Sequence, residues 1–348
     1  MTNILNNYVC TVPFSYLEIH KNDCFCCCPS WVPEKFGTTD DLENVWNSDM
    51  ANKIRKSVLD GTYKYCDKIN CPNLSQLIHT EIASNLFIKK EFFTESEGPT
   101  RLNLSFDRSC NLSCSSCRKD IIMANSDELK ENKIIIDNIS NTFGKTVTSI
   151  YISGAADPFA SKTFRDFLIN FDSNLFPKLR EIHIHTNGLL LDKNMWNQLV
   201  NVHKYIRTIE ISIDAATEET YKIVRGGNWQ KLLENIYFIS NIRTISKKIF
   251  SFVVQDTNYK EMKLFYDLIS NLPFNPKNNF NVYFGKILNW ETYTNDEFLT
   301  KQIWNENHPE FDNFIKEFKE VGILYNSTNN MYNIIEKFKL IPNKKNLI

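Results

Sequence analysis

Three cysteines lie within one stretch of eight residues, spaced C-x3-C-x2-C: Cys110, Cys114 and Cys117. Thiolates this close together can bind one small inorganic centre. A structural zinc ion prefers four protein ligands, and no fourth Cys or His is close by in the sequence. A [4Fe–4S] cluster can instead use three cysteines and leave one iron open to a substrate or cofactor. The triplet therefore favours an iron–sulfur centre, with zinc as the alternative.

Seven further cysteines precede the triplet, and none follows Cys117. They are Cys10, Cys24, Cys26, Cys27, Cys28, Cys66 and Cys71. A disulfide framework is not expected in a chain of 348 residues without a recognisable secretion signal. Clustered cysteines in such a chain indicate metal binding or redox chemistry.

The composition, with 42% hydrophobic and 23% charged residues, is typical of a folded soluble protein. The formal net charge of -1 gives no electrostatic basis for binding nucleic acid or an acidic membrane surface. The first residues do not resemble a signal peptide, and no run of about 18 apolar residues occurs that could cross a membrane. We therefore expect a cytoplasmic protein that binds neither nucleic acid nor membrane.

The elements that must position the triplet begin at residue 101, where β-like runs alternate with helical patterns. The runs are 101–107, 149–153, 180–187, 206–214, 249–255 and 280–285. This alternation is typical of βα units around a parallel sheet. Six units predict a partial barrel, because a closed eight-stranded barrel usually needs about 250 residues. A half-exposed antiparallel sheet is the alternative.

Several of these runs alternate apolar and polar residues. Ile211 and Ile213, for example, alternate with Ser212 and Asp214. If the apolar faces pack on helices, the polar faces line a shared interior that can hold a polar ligand. The triplet follows the first run directly, and loops after the carboxyl ends of strands are where α/β barrels place their active sites.

The sequence predicts three parts. Residues 1–98 contain a hairpin over 8–28, a helix over 41–60 and a C-x4-C pair, and they form a small cysteine-rich α+β domain. Residues 99–290 form the partial (β/α)6 barrel. Residues 291–348 form a helical extension that packs on the barrel.

The triplet after the first strand resembles the signature of the radical S-adenosylmethionine (radical SAM) superfamily. One departure is Ser116, because an aromatic residue usually precedes the third cysteine. Three later segments at strand ends support the resemblance, which spans roughly residues 100 to 290. They are Ser153-Gly154-Ala155-Ala156-Asp157, His185-Thr186-Asn187-Gly188, and Ser212-Ile213-Asp214 followed by Arg225-Gly226-Gly227.

The resemblance implies a partial (β/α)6 barrel and a [4Fe–4S] cluster held by the three cysteines. The open iron would chelate SAM, and an electron from a donor such as flavodoxin or ferredoxin would cleave it. The resulting 5′-deoxyadenosyl radical would abstract hydrogen from a substrate. The implied cofactor contacts are Ser153, Gly154 and Asp157 at the amino group, Asn187, Ser212 and Asp214 at the ribose or carboxylate, and Arg225 as a carboxylate partner.

The N-terminal cysteines resemble the SPASM or twitch auxiliary-cluster module of this superfamily, although that module normally follows the barrel. The resemblance implies one auxiliary [4Fe–4S] cluster held by Cys10, Cys28, Cys66 and Cys71. Cys27 is the alternative to Cys28, because adjacent residues of a continuing strand point to opposite faces. A zinc site, or two clusters, are further alternatives.

Enzymes with such modules modify ribosomal peptides or proteins, or oxidise hydroxyls of sugars and aminoglycosides. The sequence implies a radical SAM oxidoreductase or modifying enzyme, and it does not choose between a peptide and a carbohydrate substrate. The alternative from another class is a zinc-binding interaction or scaffold protein without catalysis.

Overall fold

The computed structural model describes residues 4–321 except residues 70, 81, 82, 153–155, 278 and 291. The chain forms two compact units, each made of two chain segments. Unit 1 comprises Met1–Arg108 and Ala124–His183, and unit 2 comprises Ser109–Met123 and Ile184–Ile348. The division into 1–98, 99–290 and 291–348 stays a prediction.

Strands and helices alternate along most of the described chain. The strands are β1 (Tyr8–Cys10), β2 (Tyr16–His20), β3 (Asp23–Phe25), β4 (Gly37–Thr38), β5 (Phe87–Lys89), β6 (Arg101–Leu104), β7 (Ser149–Ile152), β8 (Glu181–Thr186), β9 (Ile206–Ser212), β10 (Lys247–Val254) and β11 (Asn281–Lys286). The helices are α1 (Leu42–Val45), α2 (Asp49–Leu59), α3 (Pro72–Thr80), α4 (Ser126–Phe143), α5 (Lys162–Ile169), α6 (Lys193–Gln198), α7 (Glu218–Val224), α8 (Trp229–Ser240), α9 (Met262–Ser270), α10 (Asn295–Lys301) and α11 (Phe311–Val321). None of these described helices is long and apolar enough to cross a membrane.

Unit 1 contains a mixed sheet in the order β7-β6-β2-β3-β4 and a separate antiparallel pair, β1 with β5. The predicted N-terminal hairpin is confirmed: β2 and β3 pair antiparallel around a turn in which Lys21 has a φ of 52°. The pairing of β2 with β6 is parallel, with Tyr16 opposite Arg101. The hairpin therefore continues the sheet that contains the first of the six predicted runs.

The predicted single helix over 41–60 is wrong, because the structure divides this stretch into α1 and α2. Ser48 interrupts it: its backbone is extended and its hydroxyl accepts a hydrogen bond from the Ala51 amide. This is the geometry of a helix N-cap, which starts a new helix at the following residue. Gly61, with a φ of 76°, follows the end of α2, where helices commonly end on a glycine in the left-handed conformation.

Unit 2 contains strands in the order β11-β10-β9-β8, and both β9–β10 and β10–β11 are parallel. In unit 1, β6 and β7 are parallel as well. The antiparallel alternative is therefore wrong for these strands. Burial alternates along β8 as the sequence predicts: Ile182 and Ile184 are fully buried, whereas His183 and His185 are half-buried. The apolar faces thus form the cores, and the polar faces remain accessible.

Candidate iron–sulfur and cofactor site

The cysteine triplet lies on a loop of unit 2 whose base is closed by backbone hydrogen bonds. The Cys110 amide donates to the Ile122 carbonyl at 2.8 Å, which joins the two ends of the loop. Within the loop, the amides of Cys117 and Arg118 donate to the Cys114 carbonyl at 2.9 and 3.1 Å. Cys110 and Cys114 are buried and Cys117 is half-buried. The loop is therefore folded by its own backbone.

Two hydrogen-bond donors are directed at these sulfurs. Asn187, at the end of β8, places its Nδ2 3.8 Å from Cys110 Sγ, and the same amide donates to Asn111 Oδ1 at 2.9 Å. Arg118 Nη2 lies 3.5 Å from Cys117 Sγ. Donors of this kind stabilise negative charge on sulfur and tune iron–sulfur centres. The structure thus brings the sequence-predicted Asn187 to the triplet and adds Arg118, which the sequence analysis did not identify.

Asp214 and Arg225 form a buried ion pair after β9. Arg225 Nη1 donates to Asp214 Oδ2 at 3.0 Å, and the two side chains are 11% and 2% exposed. Arg225 Nη2 donates to the Ser212 carbonyl at 2.9 Å, and the Val253 amide donates to Asp214 Oδ1 at 2.7 Å. Among the described residues, Arg225 Nε is buried without a hydrogen-bond partner. The Nε–H of this buried guanidinium is therefore available to a further acceptor.

The electrostatics connect this ion pair with the triplet. Burial raises the pKa of the Cys114 thiol, and the positive charge of Arg225 opposes that rise. Burial, the largest single effect, lowers the pKa of Arg225, but the acidic groups of Cys114, Asp214, Tyr221 and Cys110 together outweigh burial and raise it. Burial also raises the pKa of Asp214, against the effect of Arg225. Arg225 therefore remains cationic and lies within electrostatic range of the cysteine loop.

No group of three or more His, Cys, Asp or Glu side chains in the described ranges is arranged so that it could hold a single metal ion. The fit of the triplet to an iron–sulfur cluster is therefore judged from its donors. Three thiols lie on one short loop, two of them are buried, and an amide and a guanidinium face their sulfurs. Thiols are the ligands that iron–sulfur clusters use, and donors to sulfur surround such clusters. The residues present fit this group.

The predicted glycine-rich turn is only partly described. Ser153 and Gly154 lie outside the described residues. Asp157, in unit 1, is 1% exposed, and its Oδ1 accepts hydrogen bonds from the amides of Phe159 and Ala160 at 3.0 and 3.2 Å. These bonds form an Asx-type turn. The proposed contact of Ser153, Gly154 and Asp157 with the cofactor amino group stays a prediction.

The polar faces of β8, β9 and β10 form a hydrogen-bonded network that the sequence analysis did not assemble. His185 Nε2 lies 2.7 Å from Ser212 Oγ and 3.8 Å from Glu210 Oε1. Ser251 Oγ donates to the same Glu210 oxygen. Burial, followed by the charge of Glu210, raises the pKa of Tyr283 on β11. The alternation along β9 was the available sequence signal, but which polar residues meet depends on the strand register.

In unit 1, cysteines from separate segments also approach one another. The pKa of Cys10 is raised to about 12, mainly by burial and with a smaller contribution from the neighbouring Cys71. The pKa of Cys66 is likewise raised to about 12, first by burial and then by Cys10 and Cys71. Three of the four predicted auxiliary ligands therefore lie within electrostatic range of each other.

The run Cys26–Cys27–Cys28 supplies the remaining thiols. Because β3 ends at Phe25, the strand alternation used to choose between Cys27 and Cys28 does not extend to them. Burial raises the pKa of Cys27, with further contributions from Cys26, Cys10, Cys71 and Cys28. Cys26 lies within range of Cys66 and Cys10, and Cys28 within range of Cys71. Cys24 instead pairs with Gly37 in the sheet and is fully buried, as a small hydrophobic residue would be.

Comparison with known proteins gives one family match and several distant structural similarities. Residues 104–269 match the family model of the radical SAM superfamily. No curated protein matches the chain. The solved structure of Streptococcus suis SuiB bound to precursor peptide SuiA is 14% identical, with a TM-score of 0.41 over 86% of this chain and 62% of that chain.

Two other structures are similarly distant. SuiB from Streptococcus suis bound to S-adenosylmethionine is 14% identical, with a TM-score of 0.42 over 82% of this chain and 64% of that chain. TYW1 with a lysine-pyruvate adduct bound is 14% identical, with a TM-score of 0.35 over 63% of this chain and 70% of that chain. The chain thus spans less than two thirds of the SuiB chains. Residues 104–269, which include the cysteine triplet, Asn187, Asp214 and Arg225, are thus similar to the radical SAM superfamily.

Proposed function

We propose that this chain is a radical SAM enzyme that reductively cleaves SAM and uses the product to abstract hydrogen from a substrate. The observation that carries the proposal is the loop of Cys110, Cys114 and Cys117, which lies inside the matched segment and within range of Asn187 and Arg225. When bound, the cluster and SAM supply the electron and the 5′-deoxyadenosyl radical. The protein's contribution is to bind, orient and shield them.

The residues of unit 2 divide this work. Cys110, Cys114 and Cys117 would hold three irons, while Asn187 and Arg118 donate to sulfur and stabilise the cluster's negative charge. Arg225 is held by Asp214 and the Ser212 carbonyl, which directs its remaining Nε–H. A preorganised guanidinium of this kind suits a carboxylate. We propose that it faces the SAM carboxylate, with Asn187, Ser212 and Asp214 at the ribose or carboxylate.

We further propose that unit 1 holds one auxiliary [4Fe–4S] cluster in a SPASM- or twitch-like site. Cys10, Cys66, Cys71 and one residue of the Cys26–Cys28 run would be its ligands. The mutual effects of these thiols on each other's pKa support the set, because such effects require short separations. Cys27 lies within electrostatic range of both Cys10 and Cys71, which supports it as the fourth ligand, with Cys28, the choice made from sequence, as the alternative.

The substrate class remains peptide or carbohydrate, with flavodoxin or ferredoxin as the type of electron donor. The network of His185, Glu210, Ser212 and Ser251 supports a substrate that presents hydroxyl or amide groups, since each member can donate or accept a hydrogen bond. A partial (β/α)6 barrel and a cytoplasmic location are part of the same proposal.

Anaerobic purification followed by a SAM-cleavage assay tests the proposal. The parent protein should be brown and should release 5′-deoxyadenosine from SAM only when a reductant is present. The triple variant Cys110→Ala, Cys114→Ala, Cys117→Ala should release none, whereas Cys24→Ala, which removes a sheet cysteine outside both sets, should match the parent. A triple variant that cleaves SAM as well as the parent would overturn the proposal.

The same preparation tests the second candidate, a zinc-binding interaction or scaffold protein. The seven N-terminal cysteines are the observation that favours it, since cysteine-rich segments often bind zinc. A colourless protein that contains zinc and forms no 5′-deoxyadenosine would establish this alternative.

A further inference from the structure

Arg55, on α2 in unit 1, is an unusually buried cation. Its side chain is held on three sides: Nε donates to the Pro13 carbonyl at 2.9 Å, and the guanidinium carbon lies 4.1 Å from the Trp46 ring centre and 5.3 Å from that of Phe36. The residue is 4% exposed. Aromatic faces stabilise a guanidinium, but two rings and one carbonyl do not neutralise it.

One N–H group of this guanidinium is left for another acceptor. Within the described ranges, Arg55 Nη2 is buried and has no hydrogen-bond partner. A buried charge without a counter-charge is costly, so proteins keep one only where a negative group balances it. We therefore expect a negatively charged group close to Arg55 Nη2.

Burial lowers the pKa of Arg55, and two acidic groups within electrostatic range oppose that shift, first Glu95 and then the Cys26 thiol when it is deprotonated. Glu95 is exposed, so water screens its charge. Cys26 is fully buried and lies within range of Cys66 and Cys10, two ligands of the proposed auxiliary centre. The electrostatic interaction between two buried charges is much stronger than the interaction between the same charges in water. The negative group that matches Arg55 is therefore on the cysteine side.

We propose that Arg55 is the built-in positive charge of the N-terminal cysteine site and that its partner is the anionic thiolate–iron centre proposed there. The inference rests on the proposed auxiliary cluster, and it adds the direction in which the protein shifts the reduction potential of that cluster. Reduction adds one negative charge to the centre, and a fixed neighbouring cation favours the reduced form. Arg55 is thus a positioning and tuning residue that raises the reduction potential of the centre.

Arg101 contributes a second, weaker positive charge. It acts on Cys10 and Cys27, but its Nη2 already donates to Ser15 Oγ at 2.9 Å and its guanidinium lies over Tyr16. A guanidinium that already donates to another acceptor interacts less strongly with the centre. We therefore expect a larger effect from Arg55.

A redox titration followed by electron paramagnetic resonance tests the inference. The triple variant Cys110→Ala, Cys114→Ala, Cys117→Ala is the background, so that only the auxiliary centre is observed. In it, Arg55→Gln should shift the oxidised-to-reduced ratio at a fixed potential at least tenfold towards oxidised, about 59 mV for one electron, with unchanged iron content. Arg55→Lys, which keeps the positive charge, should show only a small part of this shift, and exposed Arg180→Gln should show none.

An unshifted potential in Arg55→Gln, with auxiliary iron present, would overturn the inference. Arg55→Met, which fills the space between the two rings with an apolar side chain, serves if the glutamine variant does not fold, and an unshifted potential there has the same meaning. If the background and the Arg180→Gln control both lack iron, the auxiliary cluster itself is refuted, and the inference falls with it.

Discussion

The two cysteine sites of this molecule are built in opposite ways. The triplet of unit 2 lies on eight consecutive residues whose own backbone hydrogen bonds fold the loop. The N-terminal site draws its thiols from β1, the loop after β3 and the segment after α2, and only the fold of unit 1 brings them together. The residues of the first site are close together in the sequence, whereas those of the second are brought together only by the tertiary structure.

The charges around the two sites differ as well. Arg225, which acts on Cys114, is bound to the buried carboxylate of Asp214. Arg55, which acts on Cys26, is held by a carbonyl and by aromatic rings, and Glu95, an acid that acts on it, is exposed and screened by water. A cation already neutralised by an acid has less effect on a metal centre than one that is not. We therefore expect the cation of the N-terminal site to tune its centre more strongly.

The largest expected effect concerns the fourth ligand of the N-terminal site. Cys27→Ala should remove about four iron atoms, the content of one [4Fe–4S] cluster, because Cys27 lies within range of Cys10 and Cys71. Cys28→Ala should retain them. Iron analysis of the two variants measures the difference, and the reverse result would restore the assignment of Cys28.

The next effect concerns the buried ion pair of unit 2. Arg225→Met would leave Asp214 buried without its partner, so the free energy of unfolding should fall by about 3–5 kcal/mol. Chemical denaturation measures the loss. Arg207→Met, which removes an exposed arginine from β9, is the matched control and should be near neutral. A loss equal to that of the control would show that the pair does not stabilise the unit.

A smaller effect is expected from Lys248 on β10. It is 1% exposed, its Nζ donates to the Ile245 carbonyl at 3.2 Å, and burial lowers its pKa from 10.5 to about 8. Below about pH 8, Lys248 is charged in the folded chain, and the cost of burying this charge lowers the free energy of unfolding. The penalty disappears as the pH rises from about 8 to 10.5, so Lys248 makes stability increase with pH in that window.

Lys248→Met should therefore stabilise unit 2 at pH 7 by roughly 1–3 kcal/mol, since each pKa unit corresponds to about 1.4 kcal/mol. The gain should shrink towards pH 10. Thermal or chemical unfolding at several pH values measures it, with exposed Lys247→Met as the control. A gain that is independent of pH would point to packing instead of charge.

The sequence predicted the local features well. The strand runs and the half-buried polar face of His183 and His185 follow from short-range patterns. The position of Asn187 beside Cys110 joins residues far apart in the sequence and was not predicted. The division of α1 from α2 was not predicted, because it depends on the hydroxyl of one serine. The sequence analysis also could not identify Arg55 or the Glu210–Ser251 contact, because both depend on which distant segments pack together.

The most direct test of two separate iron–sulfur centres is an iron count on three anaerobically purified proteins. The parent should contain about eight irons, and both the Cys110/Cys114/Cys117→Ala variant and the Cys66→Ala, Cys71→Ala variant should contain about four. Only the second variant should still form 5′-deoxyadenosine. Iron content that neither set of substitutions changes, or zinc in place of iron, would contradict the account.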